Sequence, residues 1–119
     1  MKKRFQSFSF AFDGFVTMIR EEPNARIHLV ATAVTVILGW YVDLSSTEWL
    51  AVVIAIGMVL SAEAFNSAIE NVSDGITTEY NPHIRKAKDI AAAAVLISTC
   101  TAALIGMIVF IPKLWELIN

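Results

Sequence analysis

Ser61-Ala62-Glu63-Ala64-Phe65-Asn66-Ser67-Ala68-Ile69-Glu70-Asn71-Val72-Ser73-Asp74 continues an apolar run that opens at Trp49. At about 100° per residue, Glu63, Asn66, Ser67, Glu70 and Asp74 fall within an arc of roughly 100°, while Ala62, Phe65, Ile69 and Val72 lie mainly elsewhere. A narrow polar stripe therefore runs along an otherwise apolar helix. An ionisable residue at bilayer-centre depth costs at least about 2.5 kcal/mol, so two glutamates and an amide aligned in this way need partners or an aqueous cavity. The stripe reads first as a functional site. Its structural alternative is an interhelical hydrogen-bond seam holding an oligomer, which accounts for Asn66 and Ser67 better than for two acids.

The rest of the chain supports a membrane setting. Of its 119 residues, 56% are hydrophobic and 17% charged. That is more apolar surface than one small soluble core can hide, so lipid must cover the excess. The length fits one domain, 1–119. Two more windows approach the roughly 20 apolar residues of a spanning helix, Ile27 to Val42 and Ile90 to Ile111, beside Trp49 to Ile69. With their flanking turns, the spans are expected over about 24–43, 48–70 and 88–111. The first is short and needs either Arg26 and His28 to reach toward the headgroups or the helix to extend back toward Pro23. Glu22-Pro23-Asn24 reads as its start, because proline suits the first helical position. Pro112 and Lys113 mark the exit of the third span, with Trp115 as an interfacial anchor.

Upstream, Phe5, Phe8, Phe12, Phe15 and Ile19 recur at steps of three and four, with Gln6, Ser9, Asp13 and Thr17 on other faces. This predicts an amphipathic helix over about 4–20, lying in the membrane interface or packing its aromatic stripe on the bundle. Lys2, Lys3, Arg4, Arg20 and Arg26 precede the first span, and Arg85, Lys86 and Lys88 lie between the second and third. Asp43 to Glu48 carries no basic residue. The positive-inside rule then makes the N-terminus and the second loop cytoplasmic and the C-terminus external. No continuous apolar run follows Met1-Lys2-Lys3-Arg4, so no cleaved signal is expected.

Several function classes are excluded or weakened. A net charge of −2, with Lys and Arg scattered at segment ends, argues against a nucleic-acid binder. Cys100 stands alone in an apolar run and reads as a small filler. His28 and His83 show no metal-ligand spacing; both read as interfacial polar residues without a catalytic role. The five glycines are isolated, so no Gly-rich phosphate loop is present. Two aligned carboxylates near a membrane surface suit either Mg²⁺ or proton transfer. Arg85, Lys86 and Lys88, followed by Asp89, add a cationic mouth where a polyphosphate could meet a carboxylate-bound metal. The parts together describe phosphoryl transfer. The alternative is a small oligomeric cation channel or transporter with a carboxylate-lined path, which has no use for the basic loop and Asp89.

Two segments carry a resemblance: Ala62-Glu63-Ala64-Phe65-Asn66-Ser67-Ala68-Ile69-Glu70 followed by Asp74, and Ala87-Lys88-Asp89-Ile90-Ala91-Ala92-Ala93-Ala94-Val95. The chain resembles the bacterial diacylglycerol kinase and undecaprenol kinase family over nearly its whole length. The resemblance implies an all-α membrane protein with one surface helix and three spans, assembled as a homotrimer in the bacterial inner membrane. It implies transfer of the γ-phosphate of MgATP to the hydroxyl of a lipid alcohol, diacylglycerol or undecaprenol, at sites between subunits on the cytoplasmic face.

By position, Glu63 matches the general base, and Glu70 and Glu22 match the Mg²⁺ ligands. Glu22 is preferred to Glu21 because it precedes Arg26 by the four-residue step that the family shows. Asn66 is expected to orient Glu63 or the lipid hydroxyl. Lys88 matches the lysine that meets the phosphates, Asp89 an adjacent nucleotide-site acid, and Glu79-Tyr80-Asn81 the loop that approaches the nucleoside. Arg4 and Phe10 are expected nucleotide contacts from the surface helix, Phe10 standing where the family often has Tyr.

Overall fold

The computed structural model describes residues 1–119 as four helices: α1 Lys2–Glu21, α2 Pro23–Tyr41, α3 Ser46–Ile76 and α4 Pro82–Ile118. A single residue, Glu22, joins α1 to α2 in an extended conformation, and Pro23 takes the first position of α2. Proline is tolerated there because that N–H has no intrahelical partner. Arg26 Nη1 donates to the Arg20 carbonyl at 2.9 Å, closing the junction, and Met18 and Ala25 are buried beneath it.

The turn between α2 and α3 is tightly specified. Asp43 adopts a positive φ of 55°, a region that Asp tolerates better than most residues. The N–H of Leu44 donates to the Gly39 carbonyl at 3.1 Å. Gly39 is required by close approach, since a Cβ there would lie 2.7 Å from Cη2 of Trp49 and 3.0 Å from Cδ1 of Leu44. Ser45 then caps α3 through a reciprocal box: the Glu48 N–H donates to Ser45 Oγ at 3.2 Å and the Ser45 N–H donates to Glu48 Oε1 at 3.0 Å.

Helices α3 and α4, linked by Thr77 to Asn81, form the main hairpin. The apolar core lies at the α3 start and the α4 end, where Val42, Leu44, Val52, Val109 and Phe110 are buried against one another. Lys113 Nζ and Glu48 Oε1, 3.4 Å apart, bridge the two helices at that end. Only 16 of the 119 residues are buried, and large apolar side chains are exposed on every helix. The chain alone does not cover its own apolar surface; lipid or other chains must do so.

Two helices, α3 and α4, are long and apolar enough to cross a bilayer. Helix α2 does not belong to that pair: its 19 residues begin with polar turns containing Asn24, Arg26 and His28. The helices also outrun the expected spans. Helix α3 continues to Ile76, and α4 continues through Pro112 to Ile118 where an exit at Pro112 and Lys113 was expected. Hydropathy marks where lipid contact ends, whereas a helix ends where its backbone loses partners, so the two boundaries differ.

Candidate active site

The buried residues of α3 descend at helical spacing from Val52, Ala55 and Val59 to Glu63, Asn66, Ser67 and Ser73. One face thus changes from apolar to polar along a single helix. Glu63 is 1% exposed, the most completely buried large side chain in the protein. Its Oε2 has no hydrogen-bond partner and lies 3.6 Å from Nε2 of His28 on α2. Glu22, at the α1–α2 junction, and Glu70, two turns further along α3, are close enough for their charges to act on Glu63.

Asn66, expected to orient Glu63 or the lipid hydroxyl, makes its side-chain hydrogen bond to Glu70. Its Nδ2 donates to Glu70 Oε1 at 3.4 Å, because the i, i+4 step of a helix stacks those two side chains. Its Oδ1 is buried and unpartnered, as is Ser67 Oγ. Three orphaned acceptors on adjacent turns cost about 1–3 kcal/mol each when nothing satisfies them. A ligand, water or a neighbouring chain must complete them. A cavity of about 560 Å³ opens beside this face between α1 and α3, lined by Gly14, Met18, Glu22, Ser61, Ser67 and Asn71 among others.

The basic residues form a second group at the start of α4. Lys88 Nζ lies 2.7 Å from Asp74 Oδ1 of α3, and Arg85 Nε lies 3.2 Å from Asp89 Oδ1. Asp74 continues the Glu63–Glu70 stripe by one further turn, so the acid stripe and the basic mouth meet there. Tyr80 and Glu79 are exposed in the connecting loop. Asn81 has a structural duty: its Oδ1 accepts the N–H groups of His83 at 2.9 Å and Ile84 at 3.3 Å, capping α4. Arg4 and Phe10 are exposed on α1, about 27 and 18 Å along the helix from Glu22 at 1.5 Å per residue. Along α1, both therefore lie several turns from Glu22 of the same chain.

The fit to a magnesium ion can be judged from the donors. Glu22 and Glu70 supply hard carboxylate oxygens and are both half-buried. No three of His, Cys, Asp and Glu gather into a closed metal cage. That open arrangement suits Mg²⁺, which is usually held by one or two carboxylates together with substrate phosphates.

His28, expected as an interfacial polar residue, instead lies largely covered beside Glu63. A signal for it existed: Ala25, His28, Thr32, Thr35 and Gly39 recur at steps of three and four along α2 and are its buried or half-buried face. Metal-ligand spacing says nothing about a single carboxylate partner on another helix.

Comparison with known proteins gives the family. The family described as prokaryotic diacylglycerol kinase matches residues 9–110. The undecaprenol kinase of Bacillus subtilis (strain 168) is 37% identical over 114 residues, covering 96% of this chain and 93% of that protein. The diacylglycerol kinase of Escherichia coli (strain K12) is 33% identical over 87 residues, 73% of this chain and 68% of that one. A diacylglycerol kinase of Helicobacter pylori (strain ATCC 700392 / 26695) is 30% identical over 96 residues, 81% and 75% of the two chains. With its helical architecture, its apolar α3 and α4 and a match over most of its length, the chain belongs to the prokaryotic diacylglycerol kinase family of membrane-bound lipid kinases.

Proposed function

We propose that this lipid kinase moves the γ-phosphoryl group of MgATP onto a membrane lipid alcohol by direct in-line attack, with Glu63 as the general base. The observation that carries the reading is the buried Glu63 carboxylate with an unpartnered oxygen, flanked by Glu22 and Glu70. The acceptor hydroxyl gives its proton to Glu63 as its oxygen bonds to the γ-phosphorus, and the bond from that phosphorus to the ADP oxygen breaks. No covalent enzyme intermediate is needed, because such transfer depends mainly on positioning and charge neutralisation. Magnesium held by Glu22 and Glu70 would neutralise phosphate charge when bound. Lys88 meets the phosphates once it leaves Asp74, Asp89 keeps Arg85 in place beside it, and Glu79, Tyr80 and Asn81 face the nucleoside. Asn66 orients the acceptor hydroxyl through its free Oδ1. The channel reading gains nothing from these features or from the family.

The working unit of this proposal is a homotrimer with α2, α3 and α4 crossing the inner membrane, the N-terminus and the site cytoplasmic and the C-terminus external. The sparse burial and the orphaned acceptors on α3 support it, since a neighbouring chain can cover the first and approach the second. Arg4 and Phe10, several turns along α1 from Glu22 of their own chain, become nucleotide contacts of a neighbouring site.

Between the acceptors that the relatives' names supply, undecaprenol is the first choice. The undecaprenol kinase is matched over 96% of the chain, against 73% and 81% for the two diacylglycerol kinases. The test is purified protein with MgATP and each lipid, followed by label transfer into the lipid extract. Labelling of undecaprenol well above diacylglycerol is expected; the reverse ratio overturns the acceptor, and no labelling of either overturns the kinase mechanism.

A further inference from the structure

His28, like Ser67, is a polar side chain at this site with no part in the mechanism above. It lies on the α2 face that turns toward α3, its side chain 17% exposed, with Nε2 at 3.6 Å from the buried Oε2 of Glu63. The same ring lines one end of a second cavity, about 390 Å³, that runs between α2, α3 and α4 past Thr32, Val59, Thr99 and Gly106 to Phe110. Glu63 thus has a donor on its α2 side and acids, Glu22 and Glu70, as its charged neighbours elsewhere.

We propose that His28 is a positioning residue for the phosphoryl transfer, its Nε2–H holding the Glu63 carboxylate in the orientation from which it accepts the acceptor's proton. The inference rests on the reading of Glu63 as the base. A carboxylate on a long side chain has several rotamers, and Glu63 has no hydrogen bond to its Oε2 that would select one. Asn66 cannot do it while donating to Glu70, and the flanking carboxylates offer no proton when ionised. The neutral imidazole can carry its proton on Nε2, and a facing carboxylate selects that tautomer. At 3.6 Å the pair is beyond hydrogen-bond length, and a contraction of roughly 0.7 Å brings it to an ordinary N–H···O separation. Catalytic hydrogen bonds often stand long in the free enzyme and tighten with substrate bound.

The experiment compares His28→Leu, His28→Asn and His28→Gln, each also in the Glu63→Gln background, for kcat, for KM of MgATP and for thermal midpoint. Misplacing a reacting group by about 1 Å costs on the order of 10²-fold, so His28→Leu is expected to lower kcat by about that factor with KM for MgATP unchanged. His28→Gln places an amide donor near the lost Nε2 and should recover at least about tenfold of that loss. His28→Asn places its donor a bond short and should stay slow. In the Glu63→Gln background His28→Leu should cost almost nothing further, because residues that act through one another are not additive.

Wild-type turnover by His28→Leu, equal turnover by His28→Gln and His28→Asn, or additive losses with Glu63→Gln would each overturn the inference. Should His28→Leu fail to fold, the Gln and Asn pair decides it alone. Near-normal turnover by Glu63→Gln removes the base reading itself, whereas a slow Glu63→Gln beside a fast His28→Leu removes only His28.

Discussion

Glu63→Gln separates chemistry from folding more cleanly than any other change in this protein. The substitution keeps the side-chain volume and removes the proposed proton acceptor. Loss of a general base typically costs about 10²- to 10⁴-fold, which at 1.36 kcal/mol per tenfold is about 3–5 kcal/mol of transition-state stabilisation. Stability should move the other way or not at all. Glu63 is 1% exposed and its Oε2 is unpartnered, so the native protein already carries the desolvation cost of that oxygen, about 1–3 kcal/mol. A Gln Nε2 placed there faces His28, whose own Nε2 becomes an acceptor by a change of tautomer. The variant should therefore unfold at the wild-type temperature or above it in detergent, bind MgATP normally, and label lipid at a hundredth of the wild-type rate or less. Turnover within about tenfold of wild type would refute the base assignment. A marked fall in thermal midpoint would refute the argument that Oε2 is a standing cost.

Other outcomes follow from the same geometry. Glu22→Gln and Glu70→Gln should each raise the Mg²⁺ concentration needed for half-maximal labelling more than they raise the lipid requirement; unchanged magnesium titrations in both would remove the shared ligation, and an effect in Glu21→Gln instead would move the register by one. Lys88→Met should raise KM for MgATP at least about tenfold yet shift the thermal midpoint little, because its ion pair with Asp74 is partly exposed and such pairs contribute about 0–1 kcal/mol. Gly39→Val should destabilise by about 1–3 kcal/mol, since its side chain must displace Trp49 and Leu44, and activity at low temperature should persist. Mixing inactive Glu63→Gln and Arg4→Ala subunits should restore part of the activity if α1 serves a neighbouring site; mixtures as inactive as either parent would place both residues in one chain's site.

The sequence disclosed the parts of this protein whose cause is local. Pro23 opens α2 because its ring suits the first helical turn, and Glu22 is therefore visible as a junction residue. The α3 stripe is legible because carboxylates are costly in an apolar helix and their 3.6-residue period is a property of the chain itself. Tertiary pairings are not. Lys88 meets Asp74 fourteen residues away, Lys113 meets Glu48 across the hairpin, and His28 meets Glu63 from another helix. Each partner was visible as a residue, but helical period reports which face a side chain occupies and not what packs against it. The passage of α4 through Pro112 has a similar origin, since neighbouring contacts can hold a helix together where proline removes one hydrogen bond.

The two ends of the α3 face behave differently, and the proposed site rests on that difference. At the Val52 end, packing against Val42, Leu44, Val109 and Phe110 is joined by the Ser45–Glu48 capping box and the Glu48–Lys113 pair, so backbone, apolar and charged groups are all satisfied. At the Glu63 end, the same helix buries Glu63, Asn66 and Ser67 with one oxygen of each left over. Local rules that agree at one end and fail at the other are expected where a fold has been held to a task rather than to stability. The satisfied end can supply the rigidity, because it fixes α3 against α4 for several turns before the acids begin. The unsatisfied end then presents its acceptors from a fixed backbone, and a ligand that completes them recovers free energy the protein had already given up in folding.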